Sequence, residues 1–289
     1  MTQNAFENGV LIQLTLHRWG GMKKLPKALT EAALGSKWSH AHKDLIDPAE
    51  LKRIKKEGNK ARTWLARKSL PFPIKGALFV PVDLIAEVDE KLSIYKSKYM
   101  DLAQNLSDRF DALRTEAAEK LGLLYNELDY PVNILRYFGF DWRFVSIDTP
   151  GRLRVISPEL YEREVEKFTQ TMDEARRVAV TALRTEFSEM LKRITDRLTP
   201  KPDGSAKIFR NSLVENFHEF FEDFRARNIF QDEQLATLVD RANEVLSGVS
   251  SVALRDDEHL QVNIRDSVAL IESQLNGGMV NRPRRALKL

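Results

Sequence analysis

Two stretches of the sequence carry apolar residues at the period of an α-helix for about forty residues each, and few folds accommodate such a pattern. In residues 82–121 these positions span 36 residues in ten steps, a period of 3.6. Residues 157–198 begin at a Ser157-Pro158 cap signal, and their apolar positions span 37 residues in ten steps. A forty-residue helix is about 60 Å long. We therefore predict two long helices that pack antiparallel as a hairpin.

The predicted strands are short. Residues 9–16, GVLIQLTL, alternate in polarity and are rich in branched side chains, and residues 76–80 form a second short apolar run. Residues 141–156 place two β-type runs around the turn signal DTPG, which predicts a β-hairpin. An isolated hairpin is marginal in water, so we expect all four strands to form one small antiparallel sheet.

The remaining segments complete the predicted organisation. Residues 199–207, TPKPDGSAK, have the composition of a linker. The predicted regions are a basic N-terminal strand and helix region at 1–81 that packs on the sheet, the hairpin at 82–198, C-terminal helices within 208–276 (at 212–226, 232–247 and 257–275) and a basic tail at 277–289. The predicted fold class is mainly α with a small β element (α+β): a long antiparallel helical hairpin, a small sheet at one end and a C-terminal helical bundle.

Composition narrows the cellular setting. The chain has no run of about 18 apolar residues, and its first ten residues lack the features of a signal peptide. It contains no cysteine, which excludes disulfides, thiol nucleophiles and cysteine zinc sites. We expect a cytoplasmic protein without a transmembrane segment.

Charge is distributed unevenly along the chain. Residues 1–75 contain 15 Lys and Arg against 6 Asp and Glu, a net charge of +9, whereas the remainder contains 30 against 36, a net charge of −6. This asymmetry favours either an anionic partner for the N-terminal part or a contact between the two parts, within one chain or between copies.

Much of this positive charge falls in a predicted helix over residues 48–68. Asp47 suits the N-cap, Pro48 the first helical position and Glu50 the capping-box position. The candidate nucleic-acid contacts are Lys52, Arg53, Lys55, Lys56, Lys60, Arg62, Arg67 and Lys68. Such a helix can follow a phosphate backbone, and an exposed Trp64 would stack on a base. The alternative is that Trp64 joins Leu51, Ile54, Ala61 and Leu65 in the core, with the cations as a solvated face.

The segment SLVENFHEFFEDF, residues 212–224, resembles a metal-binding motif. Glu215, His218 and Glu222 have the spacing of helical metal ligands, but a di-iron site requires two Glu-x-x-His motifs and the chain has one. Ser212 and Glu215 also form a capping box. Leu213, Val214 and the four phenylalanines of the segment form one helical stripe, which predicts a packing face and no metal.

No other motif indicates catalysis. His40, His42 and Asp44 alternate, as metal ligands on a strand do, but hydrolases that use such a pair need further ligands from later strands, so we expect a polar loop. The sequence contains no GxxxxGK[ST], no GxGxxG after a strand and no GxSxG. We expect no enzymatic activity and no cofactor.

A minor alternative follows from the predicted shape. A helical hairpin with a small β element at its tip resembles α-pore-forming toxins, whose tips enter the bilayer. The tip of this chain carries charged residues that are costly in hydrocarbon: Asp141, Arg143, Asp148, Arg152 and Arg154.

Three stretches together resemble an uncharacterised bacterial and phage family that is catalogued as a domain of unknown function. They are LIQLTLHRWGGMKKL, YFGFDWRFVSID and KIFRNSLVENFHEFFEDFRARN. Members of that family are often encoded beside MoxR-type AAA+ ATPases and von Willebrand factor A-type proteins. The resemblance implies an accessory or adaptor protein in an ATPase system of phages or mobile elements, and it identifies no functional residue.

The sequence therefore predicts a protein that acts by binding. Long apolar stripes offer surfaces for a partner or for a homo-oligomer, and no nucleophile, base and oxyanion site occur together. The leading hypothesis is a non-enzymatic adaptor of an AAA+ ATPase system. The alternative is nucleic-acid binding through residues 48–68.

Overall fold

The computed structural model describes residues 5–36, 38–146, 148, 151–200, 211–247, 249 and 257–279. Helices dominate these residues, and the strands form one sheet of four strands and one of two. The predicted class, mainly helical with a small antiparallel sheet, is confirmed. Most of the predicted linker and of the basic tail lies outside the described residues.

The helices are α1 (Lys27–Leu34), α2 (Pro48–Lys68), α3 (Ile85–Asp108), α4 (Phe110–Leu121), α5 (Leu153–Ile156), α6 (Pro158–Leu198), α7 (Asn211–Arg227), α8 (Glu233–Leu246) and α9 (Glu258–Met279). The strands are β1 (Gly9–His17), β2 (Met22–Lys24), β3 (His42–Asp44), β4 (Leu70–Pro71), β5 (Leu78–Pro81) and β6 (Gly139–Val145). Single 3-10 turns occupy Ala5–Asn8, Val82–Leu84, Gly122–Leu124, Glu127–Asp129 and Ile134–Tyr137.

The larger sheet has the order β4-β5-β1-β6, and β2 pairs antiparallel with β3. Glycine is required where β1 approaches β5, because a Cβ on Gly9 would lie 2.3 Å from the Phe79 ring and 2.4 Å from the carbonyl oxygen of Val80. Both distances are shorter than any van der Waals contact, so a larger residue at position 9 would displace one of the two strands.

The predicted β-hairpin at 141–156 is wrong in its second half. Its first strand exists as β6, but Leu153–Ile156 are helical as α5, and Ser157 N donates to the carbonyl of Leu153 at 2.8 Å. Part of the DTPG turn, residues 149 and 150, lies outside the described residues. β1 is the neighbour of β6 in the sheet, so β6 gains its hydrogen-bonding partner from a distant strand and not from the adjacent segment.

The two long helical segments differ in continuity. α6 is unbroken over its 41 residues, and the Ser157 hydroxyl accepts from Leu160 N at 3.4 Å, which confirms the predicted cap. The segment 82–121 instead begins with a 3-10 turn and breaks at Arg109, between α3 and α4. Phe110, the first residue after the break, is buried with its ring 5.6 Å from that of Trp19.

The chain divides into two compact units. The first contains residues 1–11, 67–84 and 145–289, and the second contains residues 12–66 and 85–144. α3 and α4 therefore belong to the second unit and α6 to the first. This division differs from the sequence-based one, which placed residues 82–198 in a single hairpin.

Phenylalanines and partly buried ion pairs hold the first unit together. Phe187 of α6 stacks on Phe220 of α7 with 5.7 Å between the ring centroids, and it lies 6.4 Å from the ring of Phe217. Arg184 of α6 binds both carboxylate oxygens of Asp232 at 2.7 and 2.8 Å. Asp232 also accepts from Leu235 N as the N-cap of α8, so one carboxylate joins two helices.

The second unit anchors its irregular segment, residues 122–137, through two adjacent side chains. The Tyr130 hydroxyl donates to the carbonyl oxygen of Leu45 at 2.7 Å, and Asp129 pairs with Lys43 at 2.7 Å. The hydrogen bond from the Lys43 ammonium holds the pKa of Asp129 below its ordinary value. The segment is thus fixed to the loop and strand that precede α2.

The adjacent residues Phe217 and His218 of α7 test the packing of the first unit. We expect Phe217→Ala to lower the free energy of unfolding by about 3–5 kcal/mol, because it leaves a cavity beside Phe187. His218 is exposed, so His218→Ala is expected to change the free energy of unfolding by less than about 0.5 kcal/mol. Urea denaturation of both variants measures the difference, and equal costs would contradict this account of α7.

Candidate nucleic-acid interface on α2

α2 begins and ends where the sequence predicts. The Asp47 carboxylate accepts a hydrogen bond from Ala49 N at 2.8 Å, which caps the helix, and Pro48 occupies the first turn. The Glu50 carboxylate binds the guanidinium of Arg109, so this residue joins α2 to the break between α3 and α4.

One face of α2 is buried. Ile54, Ala61 and Leu65 are at most 2% exposed, and Trp64 is 8% exposed with its ring 6.2 Å from that of Tyr95. The prediction that Trp64 belongs to the core is confirmed. The alternative, in which Trp64 stacks on a nucleic-acid base, is wrong because the ring is enclosed by protein.

The opposite face of α2 is cationic. At 100° per residue, Lys52, Lys55 and Lys56 point within about 60° of the direction away from the buried face, with other cations on the flanks. The exposed cations of α2 are Lys52, Arg53, Lys55, Lys56, Lys60 and Arg62. We call these six side chains the basic face. Lys52, Lys56 and Lys60 follow one another at four-residue intervals and span about 12 Å of the helix.

Most of the basic face has no acidic partner. Lys60 pairs with Glu57 at 2.8 Å, and this hydrogen bond raises the pKa of Lys60. The other five side chains form no ion pair with any residue that the structure describes. Their charges are therefore compensated by water and salt and are available to an anion.

Arg67 and Lys68 do not belong to this face. Arg67 donates at 3.0 Å to both Asn216 and Glu219 of α7, and Lys68 pairs with the buried Asp223 at 2.8 Å. Both residues belong to the first unit, whereas the basic face belongs to the second. The structure thus brings six of the eight predicted contacts together and assigns the other two to packing against α7.

The histidine motifs lie at the surface. His42 and Asp44 are exposed on β3, where they pair in register with Lys24 and Met22 of β2, so the predicted loop is in part a strand. His40 is exposed just before it. Within the described ranges, no three His, Asp or Glu side chains are grouped closely enough to hold a metal ion.

In the segment 212–224, the side chains from Glu215 onward pack as predicted, and those of Leu213 and Val214 lie outside the described part of the structure. Phe217, Phe220 and Phe224 are buried, and Phe187 of α6 lies against the first two. Glu215, His218 and Glu222 are exposed. Because the phenylalanines face inward, the imidazole of His218 and the carboxylates of Glu215 and Glu222 point to solvent.

Residues 122–137 form an exposed apolar surface that the sequence reasoning missed. Leu123, Leu128 and Val132 are at least 91% exposed. The side chains of Asn126 and Asn133 cap its 3-10 turns by accepting from backbone amides two residues ahead. The apolar residues have no helical or strand period, so no periodicity search finds them. The signal is a pair of leucines, Leu123 and Leu124, followed by apolar residues among the turn-forming Asn126 and Asn133.

The length and hydropathy of the helices and the charges at the predicted tip bear on the pore-forming alternative. No helix in the part of the chain that the structure describes is both long and apolar enough to cross a membrane. Asp141 and Arg143, at the predicted tip, are exposed on β6, and Arg143 donates to the Gln13 side chain at 2.8 Å.

The chain belongs to the family described as Protein of unknown function (DUF3150), whose model matches residues 6–201. The match covers about two thirds of the chain. It includes the second unit and part of the first but ends before α7, so KIFRNSLVENFHEFFEDFRARN lies outside the matched residues. No curated protein and no solved structure matches the chain.

The two kinds of cation on α2 are expected to respond differently to neutralisation. Lys68→Gln removes one half of a buried ion pair, so we expect it to lower the free energy of unfolding by about 3–5 kcal/mol. Lys52→Gln removes an exposed charge and is expected to change the free energy of unfolding by less than about 0.5 kcal/mol. Chemical denaturation of both variants measures the effect. A large cost for Lys52→Gln would show that this lysine has a structural role.

Proposed function

We propose that the protein binds nucleic acid through the basic face of α2 and performs no chemistry itself. The observation that carries this proposal is that most of the six exposed cations are unpaired within the described part of the chain. Five of them have no acidic partner among the described residues, although the chain is rich in carboxylates. A surface that serves only solubility is normally interspersed with both signs of charge.

The chemistry of the basic face favours the phosphate backbone over the bases. Lysine and arginine that neutralise phosphates release condensed counterions, and this term is independent of sequence. Trp64 is buried, so the one aromatic side chain of α2 contributes no base stacking. Binding is therefore expected to be sensitive to salt and tolerant of sequence.

Arginine and lysine on this face also suit an acidic protein surface. Nucleic acid is favoured because the row Lys52, Lys56 and Lys60 places like charges at regular intervals with no intervening acid on the same row. A regular linear array of cations complements a linear polyanion.

A second candidate function is that of an adaptor, and the exposed apolar surface of residues 122–137 favours it. Leu123, Leu128 and Val132 are exposed on a segment that Tyr130 and Asp129 anchor to the second unit. Rigid, exposed apolar side chains are typical of protein contact surfaces. The family resemblance supplies the expected partners, a MoxR-type AAA+ ATPase and a von Willebrand factor A-type protein, and self-association is a further use of the same surface.

Nucleic-acid binding is tested by fluorescence anisotropy with labelled single-stranded and double-stranded DNA over a range of salt concentrations. We expect the double variant Lys52→Gln/Lys56→Gln to bind more weakly, and its plot of log K against log salt to be shallower by about two, one for each lost phosphate contact. The matched control is Lys75→Gln/Lys192→Gln, which removes two exposed lysines of the first unit. Equal affinity for all three proteins, or no binding by the wild type, would overturn the proposal.

The adaptor function is tested by co-purification of the tagged protein from its host with identification of partners by mass spectrometry. We expect an AAA+ ATPase to be captured by the wild type and lost with Leu128→Ser, whose side chain is 91% exposed and whose loss should not affect folding. Val155→Ser on α5 is the matched control, since Val155 is 89% exposed in the other unit. An ATPase captured equally by all three proteins would exclude residues 122–137 as the contact.

A further inference from the structure

α2 lies directly against the end of β1 at Gly58. A Cβ built on Gly58 would lie 3.1 Å from Leu16 Cδ1 of β1 and 3.3 Å from Tyr99 Cε2 of α3. Both distances are tighter than ordinary contacts between side chains, so glycine is what allows the three elements to approach so closely.

Each of the two elements that meet at this contact is followed closely along the chain by a cation. Arg62 follows Gly58 by one turn of α2, and Arg18 follows Leu16 by two residues of the chain. The Tyr99 hydroxyl donates to the carbonyl oxygen of His17 at 2.7 Å, which fixes the backbone immediately before Arg18. Arg18 and Arg62 are both exposed. An exposed cation thus lies close along the chain to this contact both after β1 and on α2.

The charges of Arg18 and Arg62 both influence the ionisation of the Tyr99 hydroxyl. Burial raises the pKa of Tyr99, and the charges of Arg18 and of Arg62 both oppose that rise. Neither arginine forms an ion pair with any residue in the described ranges. Two like charges that face one point repel each other until an anion lies between them.

We propose that Arg18 and Arg62 together bind one phosphate of the nucleic-acid backbone at the junction of β1 and α2. Arginine suits this task because its planar fork of N–H donors matches two phosphate oxygens at once. The proposal rests on the proposed function and adds a second element to its interface. A phosphate held from a strand end and a helix has a fixed position on the protein, whereas the lysines of α2 provide charge with little geometric constraint.

The proposal is tested by a double-mutant cycle with Arg18→Gln, Arg62→Gln and the double variant, using anisotropy with the same labelled DNA at fixed salt. We expect each single variant to weaken binding roughly tenfold, because each loses charge-assisted hydrogen bonds to the phosphate. The double variant is expected to lose much less than the product of the two, since both side chains serve one phosphate. Arg18→Lys and Arg62→Lys, which retain the charge, are expected to restore only part of the affinity.

Independent losses that multiply in the double variant would show two separate phosphate contacts and overturn the shared site. Unchanged binding by Arg18→Gln would overturn it as well. If Lys52→Gln/Lys56→Gln weakens binding while the arginine variants do not, the shared site fails and nucleic-acid binding by α2 stands. If no variant alters binding, the proposed function fails with it. Thermal unfolding midpoints equal to that of the wild type ensure that each variant is folded.

Discussion

The packing of Gly58 on Leu16 and Tyr99 determines the orientation of α2, and the other features of its surface follow from that orientation. With Gly58 turned toward β1 and α3, Ile54, Ala61 and Leu65 are directed into the core. The lysines on the opposite side must then face solvent, because the angles between side chains around the axis of a helix are fixed. A Cβ at position 58 would require the side chains of Leu16 and Tyr99 to shift by a few tenths of an ångström.

The excess positive charge of the N-terminal part is divided between two uses. Some of it is neutralised within the protein, as in the pairs Lys43–Asp129 and Lys68–Asp223, whose side chains are about nine-tenths buried. The remainder stays exposed on α2 and at the end of β1. The sequence left open whether this charge serves an internal contact or an external partner. For Lys43 and Lys68 the structure shows an internal contact. The exposed remainder carries the proposal of an anionic partner.

The two proposed contact surfaces differ in physical character. Binding by the basic face would depend on long-range electrostatics, so its affinity is expected to fall as the salt concentration rises. Residues 122–137 present leucine and valine, whose contacts depend on removal of apolar area from water and are much less sensitive to salt. Both surfaces belong to the second unit and lie within the residues that the family model matches. One unit thus carries both of the proposed contact surfaces.

Local signals in the sequence determined the helices themselves. Asp47-Pro48 and Ser157-Pro158 predicted the starts of α2 and α6, because a cap and the proline after it act within one turn. The apolar stripe of residues 212–224 likewise predicted which face of α7 is buried, since the period of a helix is a local property. Tertiary structure decided what local patterns do not encode: the break at Arg109 beside Trp19, the helical state of Leu153–Ile156 and the assignment of the two long helical segments to different units. It also decided that Lys68 is buried and Lys52 exposed, because identical side chains on one helix differ only in the elements packed against them.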